Sequence, residues 1–336
     1  MRILLHSSAA RFFNSQTAKR AMCFVSCGAL ALLISACASS GVSSKEESSG
    51  ALVLMTDFGL RDGAVSAMKG VAYQTAPKVL VSDLTHEIPS YSIWEASYRL
   101  HQTYSYWPRG TVFVSVVDPG VGSERKSVVL KTKSGHYFVG PDNGLFTLVA
   151  DVAGIESIYQ IDESKQRLKG SEESYTFHGR DLYVYVGARL AGGQVQLKDV
   201  GPNLPSLVRL DYQKAAFDES TAELVGNIPV LDPQFGNVWT NIPKSEFQSK
   251  LLVGPAVQYR VRISKRDARG KIKTVFNQVL PIGETFAAVP KGRPLLYFNS
   301  LLNVALAVNQ GDFAKRFGIE SGPEWVISIS PHRISR

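Results

Sequence analysis

The apolar positions between residues 51 and 117 fall into two alternating patterns. "ALVLMT" (51–56), "KVLVS" (78–82) and "TVFVSVV" (111–117) are short continuous runs and read as strands. "DGAVSAMKGVAYQTA" (62–76) sets Val65, Met68 and Ala72 on one face before Pro77, and "SIWEASYRLHQTYSYW" (92–107) ends before Pro108; both read as helices. Strands that are apolar throughout and separated by helices predict a parallel sheet covered on both sides. "HYFVGPDNGLFTLV" (136–149) reads as a strand, a turn and a helix start, and "TFHGRDLYVYVGARLAGG" (176–193) as a loop entering a helix that Gly192 and Gly193 end. After residue 205, "AELVGNIPVLD", "VQYRVRIS", "KTVFNQVL" and "WVISIS" are short alternating segments between Gly and Pro. The predicted fold class is an α/β N-terminal domain with a mostly parallel sheet over residues 51–205, followed by a smaller, mostly antiparallel β domain over 206–336.

The first 50 residues stand apart from this pattern. A basic stretch ending in Lys19 and Arg20 precedes an apolar run from Ala21 to Ala36, which is short for a membrane span, and "LISAC" closes it with small residues before Cys37. This resembles the lipobox of bacterial lipoproteins. The resemblance implies a signal peptide over 1–36, lipidation of Cys37, a polar tether over 37–50, and a lipid-anchored location on the periplasmic side of the inner or outer membrane. An uncleaved anchor or a misplaced start is the alternative. Cys23 and Cys27 would leave with the signal, so the mature domain would hold no cysteine for a disulfide, a nucleophile or a zinc site. The net charge of +8 falls as well: without residues 1–36 the chain has 33 Lys and Arg against 29 Asp and Glu, and +4 gives no reason to invoke nucleic acid.

Each of the three N-terminal strands runs into an aspartate: Asp57, Asp83 and Asp118. Open α/β sheets collect ligands outside the carboxyl ends of their strands, so the three acids define one candidate site, although any single Asp after a strand also serves as a cap or turn residue. Asp57, Asp83, His86, Asp118, Asp142, His178 and Asp181 together admit a metallohydrolase reading, since hard oxygens with two imidazoles suit a divalent ion. No His-x-His or His-Glu-x-x-His spacing supports it. The chain has no Gly-x-Ser-x-Gly elbow, no P-loop and no Gly-x-Gly-x-x-Gly after the first strand.

The blocks "TDFGLRDGAVSAMKG", "DLTHEIP", "VVDPGVGSERKSV", "GPDNGLF", "TFHGRD" and "DPQFGNVWTNI" stand in the order and near the spacing of the S-adenosylmethionine hydroxide adenosyltransferases, relatives of the bacterial fluorinase and chlorinase. The resemblance runs from Leu52 to Asn309. It implies that water or hydroxide displaces methionine at C5′ of S-adenosyl-L-methionine, giving adenosine and L-methionine without metal or cofactor. It also implies a homotrimer, with substrate between the large domain of one subunit and the small domain of the next. The family's triad around the nucleophilic water falls on Asp118, Arg125 and His178, its ribose contact on Asp57, its methionine contacts on Asp232 (amino group) and Ser300 (carboxylate), and its adenine contact on Asn237. For Asp232 and Asn237 the lesser alternative is an Asx turn beside a glycine. Asn303 stands where many relatives have glutamate, so contacts in that segment are open.

Halide-using relatives have tyrosine at the position of Asp118 and an extra loop near Lys131 and Tyr137; this chain has the aspartate and only "KTKSGHYF" there, which favours hydroxide over a halide anion. Gly120 and Gly122 are expected to tolerate the backbone angles that fold Arg125 back onto Asp118. His178 is open to two roles, accepting a proton or positioning water. A lipoprotein that binds an adenosyl compound without turning it over is the alternative outside the enzyme class.

Overall fold

Strand β1 (Ala51–Thr56) carries the logic of the N-terminal half: Leu52 and Leu54 join the core on one side of the sheet, Val53 and Met55 the core on the other, and all four are fully buried. The structure is a computed structural model and describes residues 48–251 and 257–332; the predicted signal peptide and Cys37 lie outside the described residues. Then follow α1 (Ala64–Thr75), β2 (Leu80–Thr85), α2 (Ile93–Thr103), β3 (Val112–Val116), β4 (Ser127–Thr132), β5 (Tyr137–Pro141), α3 (Thr147–Ala153), β6 (Ile155–Gln160), α4 (Glu163–Gln166) and α5 (Val184–Ala191). The six strands form one sheet in the order β2-β1-β3-β5-β4-β6. The pairs β1–β2, β1–β3 and β3–β5 are parallel, and β4 runs antiparallel to both β5 and β6. Helices α1 and α5 cover one face through Met68, Ala72, Val186 and Leu190, and α2 and α3 cover the other through Ala96, Leu100, Val149 and Ala150. Double coverage is why β1 and β3 lack polar alternation.

Several boundaries differ from the sequence reading. Helix α2 starts where Ser92 accepts the Glu95 N–H in the manner of a capping serine, and it ends at Thr103 in a 3₁₀ turn, Tyr104–Tyr106, ahead of Pro108. Strand β2 sits at the sheet edge, begins two residues later than predicted and continues through Asp83, which pairs with Leu54. Residues 48–50, predicted as tether, belong to the fold: the Ser49 N–H donates to Gly110 O (3.3 Å) and the Leu80 N–H to Gly50 O (2.8 Å).

In the second half the paired strands all run antiparallel, as the alternating segments imply, and an isolated bridge between Ile282 and Leu296 is parallel. Its elements are β7 (Ala216–Asp218), β8 (Glu223–Ile228), β9 (Val230–Leu231), β10 (Val238–Pro243), α6 (Lys244–Lys250), β11 (Gln258–Arg266), β12 (Ile272–Pro281), β13 (Pro294–Phe298), β14 (Asn303–Val308), α7 (Phe313–Phe317) and β15 (Gly322–His332). A five-stranded sheet, β12-β11-β15-β8-β7, and a four-stranded sheet, β13-β14-β10-β9, share one core that includes Ile263, Ile327, Leu306 and Ile242. The two halves meet through α2: the Trp94 indole N–H donates to Pro229 O at 2.7 Å, and Trp94 and Tyr98 pack with Val230 and Tyr212.

Close packing of α5 on the sheet depends on Gly187, where a Cβ would lie 2.4 Å from Val114 Cγ2 and 3.2 Å from Leu52 Cδ1. Alanine is the better helix former by about 1 kcal/mol, yet overpacking a full core costs roughly 1–3 kcal/mol. Gly187→Ala is therefore expected to lower stability by about 1–2 kcal/mol, read as a drop in urea midpoint at unchanged slope.

Candidate active site

Strands β3 and β4 are consecutive in the chain but not in the sheet, because β5 lies between them. The loop from Asp118 to Lys126 must therefore cross the carboxyl end of β5, a span of two strand spacings or roughly 10 Å. The end of β5 secures both arms of that loop: Asn143 Nδ2 donates to Val117 O (2.9 Å), and the Asp142 N–H donates to Lys126 O (2.8 Å). Within the loop, N–H groups of Val121 and Ser123 donate to Asp118 O (3.2 Å) and Gly120 O (3.0 Å). Gly122 has φ +77°, as expected for a left-handed glycine. Gly120 is not among the positive-φ residues, contrary to expectation; it supplies space instead, since a Cβ there would come within 3.3 Å of Arg125 Cγ.

Arg125 folds back onto Asp118. Nε donates to Oδ1 (2.9 Å) and Oδ2 (3.0 Å), and Nη2 donates to Oδ2 (2.6 Å), a fork that only guanidinium geometry provides. Nη1 donates to Ser127 Oγ (2.8 Å), and Nη2 also donates to His178 Nδ1 (2.7 Å). Because arginine can only donate, Nδ1 carries the lone pair, and the neutral ring holds its proton on Nε2, which is buried and has no hydrogen-bond partner. Burial pushes the His178 pKa below the usual 6.5; Arg125 and Arg167 push it the same way, while Glu163 and Asp118 oppose the shift. Burial alone would favour a neutral Arg125, but the hydrogen bond and charge of Asp118, with Tyr183 and Glu163, raise its pKa instead.

Asp118 and His178 line a cavity of about 240 Å³ together with Asp57, Tyr91 and Phe177. Asp57 Oδ2 accepts the Tyr91 N–H (2.9 Å), and Tyr91 has φ +67°, a strained backbone angle for an aromatic residue. The turn carrying Asp57 is held from outside. His86 Nδ1 bonds Thr56 Oγ1 (2.8 Å), His86 O accepts the Gly59 N–H (2.8 Å), and Asp83 Oδ1 bonds His86 Nε2 (3.0 Å). Asp83 therefore does not stand with Asp57 and Asp118 in the site: its other oxygen takes Lys69 Nζ at 2.6 Å on the sheet edge. Asp142 accepts the Val208 N–H, and Asp181 is fully buried against Arg180. Among the described residues no group of three or more His, Cys, Asp or Glu side chains is placed to hold a metal ion.

Asp232, Asn237 and Ser300 line a second cavity, of about 910 Å³, which shares no residue with the first. Within one chain, then, these three are not brought to Asp118. The Asx turn is real: Asp232 Oδ1 accepts the Gln234 N–H (3.1 Å), Oδ2 accepts Asn237 Nδ2 (3.2 Å), and Gly236 has φ +64°. The turn and the cavity coexist, because the same residues shape the loop and face the opening. Sequence reasoning missed Ser127, Tyr183, Glu163 and Asn143. Asn143 had a local signal in "GPDNG" and Ser127 stands two residues after Arg125 in a quoted block; Glu163 and Tyr183 meet Ser127 only through long-range folding.

A family model for the S-adenosylmethionine hydroxide adenosyltransferase N-terminal domain matches residues 52–201, and one for the C-terminal domain of the same family matches residues 226–326. The chain belongs to this family. A Methanocaldococcus jannaschii protein named (R)-S-adenosyl-L-methionine hydrolase is 40% identical over 203 residues, covering 59% of this chain and 69% of that protein. An Actinoplanes protein named fluorinase is 28% identical, covering 81% of this chain and 95% of that one. The crystal structure of a conserved Thermotoga maritima protein superposes with a TM-score of 0.73 at 33% identity, covering 83% of this chain and 99% of that one.

The side chains of Asp118 and Arg125 are only 5% and 11% exposed. Breaking such a pair from one side leaves an uncompensated charge, so Arg125→Ala should cost about 3–5 kcal/mol, and Asp118→Ala/Arg125→Ala together less than the sum of the two single changes. Urea unfolding of all four proteins checks this; additive losses would mean that the pair is not coupled.

Proposed function

We propose that this chain hydrolyses S-adenosyl-L-methionine. Water or hydroxide attacks C5′ opposite the sulfur, the C5′–S bond breaks with its electrons going to sulfur, and adenosine, L-methionine and a proton are released. The observation that carries the reading is the Asp118–Arg125 fork, joined to His178, at a small cavity that also holds the Asp57 carboxylate. Asp118 faces the cavity and orients the attacking oxygen as a hydrogen-bond acceptor. Arg125, a fixed cation behind it, holds the carboxylate in one orientation. His178 has its Nδ1 taken by Arg125 and its Nε2 buried, which supports a positioning role and not that of a general base. The leaving group is a sulfonium that departs as a neutral thioether, so the chemistry requires no metal or cofactor.

Asp57 is the acceptor suited to the ribose hydroxyls. The larger cavity, walled by Phe235, Trp239, Phe286 and Tyr297, suits stacking of an adenine ring, with Asn237 reading its edge and Asp232 and Ser300 taking the ammonium and carboxylate of the methionine part. The two groups of residues line separate cavities, which supports a site completed by a neighbouring subunit; the family resemblance makes the assembly a homotrimer. Tyr91 in the first cavity and Phe235 in the second are 71% and 64% exposed, as residues awaiting a subunit contact would be. The Asp118 carboxylate, close to the attacking oxygen, disfavours chloride or fluoride in its place. The lipobox reading places the enzyme on a lipid anchor at Cys37, facing the periplasm.

Purified protein with S-adenosyl-L-methionine in oxygen-18 water is expected to yield adenosine labelled at the 5′-hydroxyl; bound but unconsumed substrate would favour an adenosyl-binding lipoprotein instead. Asp118→Ala and Arg125→Ala should lower kcat at least 100-fold. EDTA should leave turnover unchanged, and fluoride or chloride should yield no 5′-haloadenosine. Because His178 must be neutral to accept from Arg125, turnover should fall toward acid with its half-point below pH 6.5, as pH drops through the lowered His178 pKa. An acid limb with its half-point above pH 6.5 would refute this assignment.

A further inference from the structure

One carboxylate near the triad has no part in the reading above. Strand β6 lies beside β4, with Gln160 opposite Val128, so the residues just after β6 come alongside the first residue of β4, Ser127. Glu163, first residue of α4, arrives there and splits its two oxygens. Oε1 accepts the Ser127 hydroxyl at 2.9 Å, and Oε2 lies 3.8 Å from His178 Nε2. Ser127 Oγ is in turn the acceptor of Arg125 Nη1 and lies 3.2 Å from the Tyr183 hydroxyl. A serine hydroxyl has one proton; with Arg125 donating to its oxygen, that proton goes to Glu163. The second oxygen faces the ring nitrogen that must carry the proton when Nδ1 accepts from Arg125. Apart from Asp118, then, both partners of the guanidinium have Glu163 behind them.

We propose that Glu163 is a positioning residue for the hydrolysis, orienting Ser127 through one oxygen and the Nε2–H tautomer of His178 through the other, and so fixing Arg125 from both sides. The inference rests on the reading of Asp118, Arg125 and His178 as the reacting centre. A charged carboxylate facing Nε2–H stabilises that tautomer over the Nδ1–H form, which would set two donors against each other at Arg125. The groups that face His178 are Arg125 and Asp118 from the crossing loop, Arg167 from the segment after α4, Glu163, and the rings of Tyr175 and Tyr183. Among them, Glu163 gives the largest contribution opposing the burial that lowers the His178 pKa.

The test compares Glu163→Gln, Glu163→Asp and Asp118→Ala with the unaltered protein, using S-adenosyl-L-methionine and following kcat, KM and the acid limb of kcat. Glu163→Gln keeps an oxygen for Ser127 but loses the charge. It is expected to lower kcat roughly ten-fold with KM within about two-fold, and to move the acid limb to lower pH, because His178 then stays neutral further into acid. Glu163→Asp, which keeps the charge, should leave the limb near its original position. A local packing role would lower kcat without moving the limb, and that result, or an unchanged kcat, overturns the proposal. If Asp118→Ala keeps full activity, the reacting centre is elsewhere and the proposal falls with it; if Asp118→Ala is inactive and Glu163→Gln is normal, only the role of Glu163 is lost. Should Glu163→Gln not fold, nitrogen-15 histidine spectra of the unaltered protein decide the matter: a neutral His178 protonated on Nε2 is expected, and the Nδ1–H tautomer overturns the assignment.

Discussion

A carboxylate and a guanidinium, both nearly removed from solvent, are held by three hydrogen bonds within 3.0 Å at the point where the polypeptide crosses the end of β5. Neither charge would be tolerated there alone, and burying both is at best close to neutral for stability. Its value is geometric. The pair fixes one orientation for Asp118, and the rest of the N-terminal half serves that orientation. The β3-β5-β4 order makes the loop long enough to bring Arg125 back, Asn143 and Asp142 secure its two ends, and the helix entered at His178 brings an imidazole to Nη2 of the guanidinium. The helix begins as a wide π-type turn, Gly179–Tyr183, a form often found where side chains must be re-aimed for function.

How far the fold was legible follows from what burial writes into a sequence. Burial on both faces makes β1 and β3 continuous apolar runs, so their presence and the covering helices could be read directly. Direction leaves no such mark: "SVVLKT" is as apolar as its neighbours, and nothing local in it reveals that β4 runs against β5. The edge strand was the hardest to place. With little of β2 buried, its bounds slipped by a few residues, enough to move Asp83 from within the strand to the carboxyl end and into a site it does not join.

The site divides in the same way. Motif blocks identified Asp57, Asp118, Arg125 and His178, and the folded chain gathers all four around or immediately behind one cavity. What the blocks could not convey is which nitrogen of His178 is engaged, because that depends on a donor 53 positions earlier in the chain. Sequence order alone carries no information on which residues share a concavity; only the family resemblance implied that the second-half residues face the large domain of another subunit. In the second half, an Asx turn and a ligand contact were competing explanations for Asp232 and Asn237. The geometry makes them compatible: one carboxylate braces the loop with both oxygens while the loop as a whole walls the larger opening.

The hydrogen bonds of residues 48–50 have an orienting effect. They tie the incoming chain to the amino end of β1, beside Gly110 and the start of β2, whereas Asp57 and Asp118 follow the opposite, carboxyl ends of their strands. Six residues of extended chain separate the two poles, roughly 20 Å. The described chain thus enters at the pole of the sheet opposite the two carboxylates, so a change at residues 48–50 would act on the seating of β1 and β2 and not directly on the cavity.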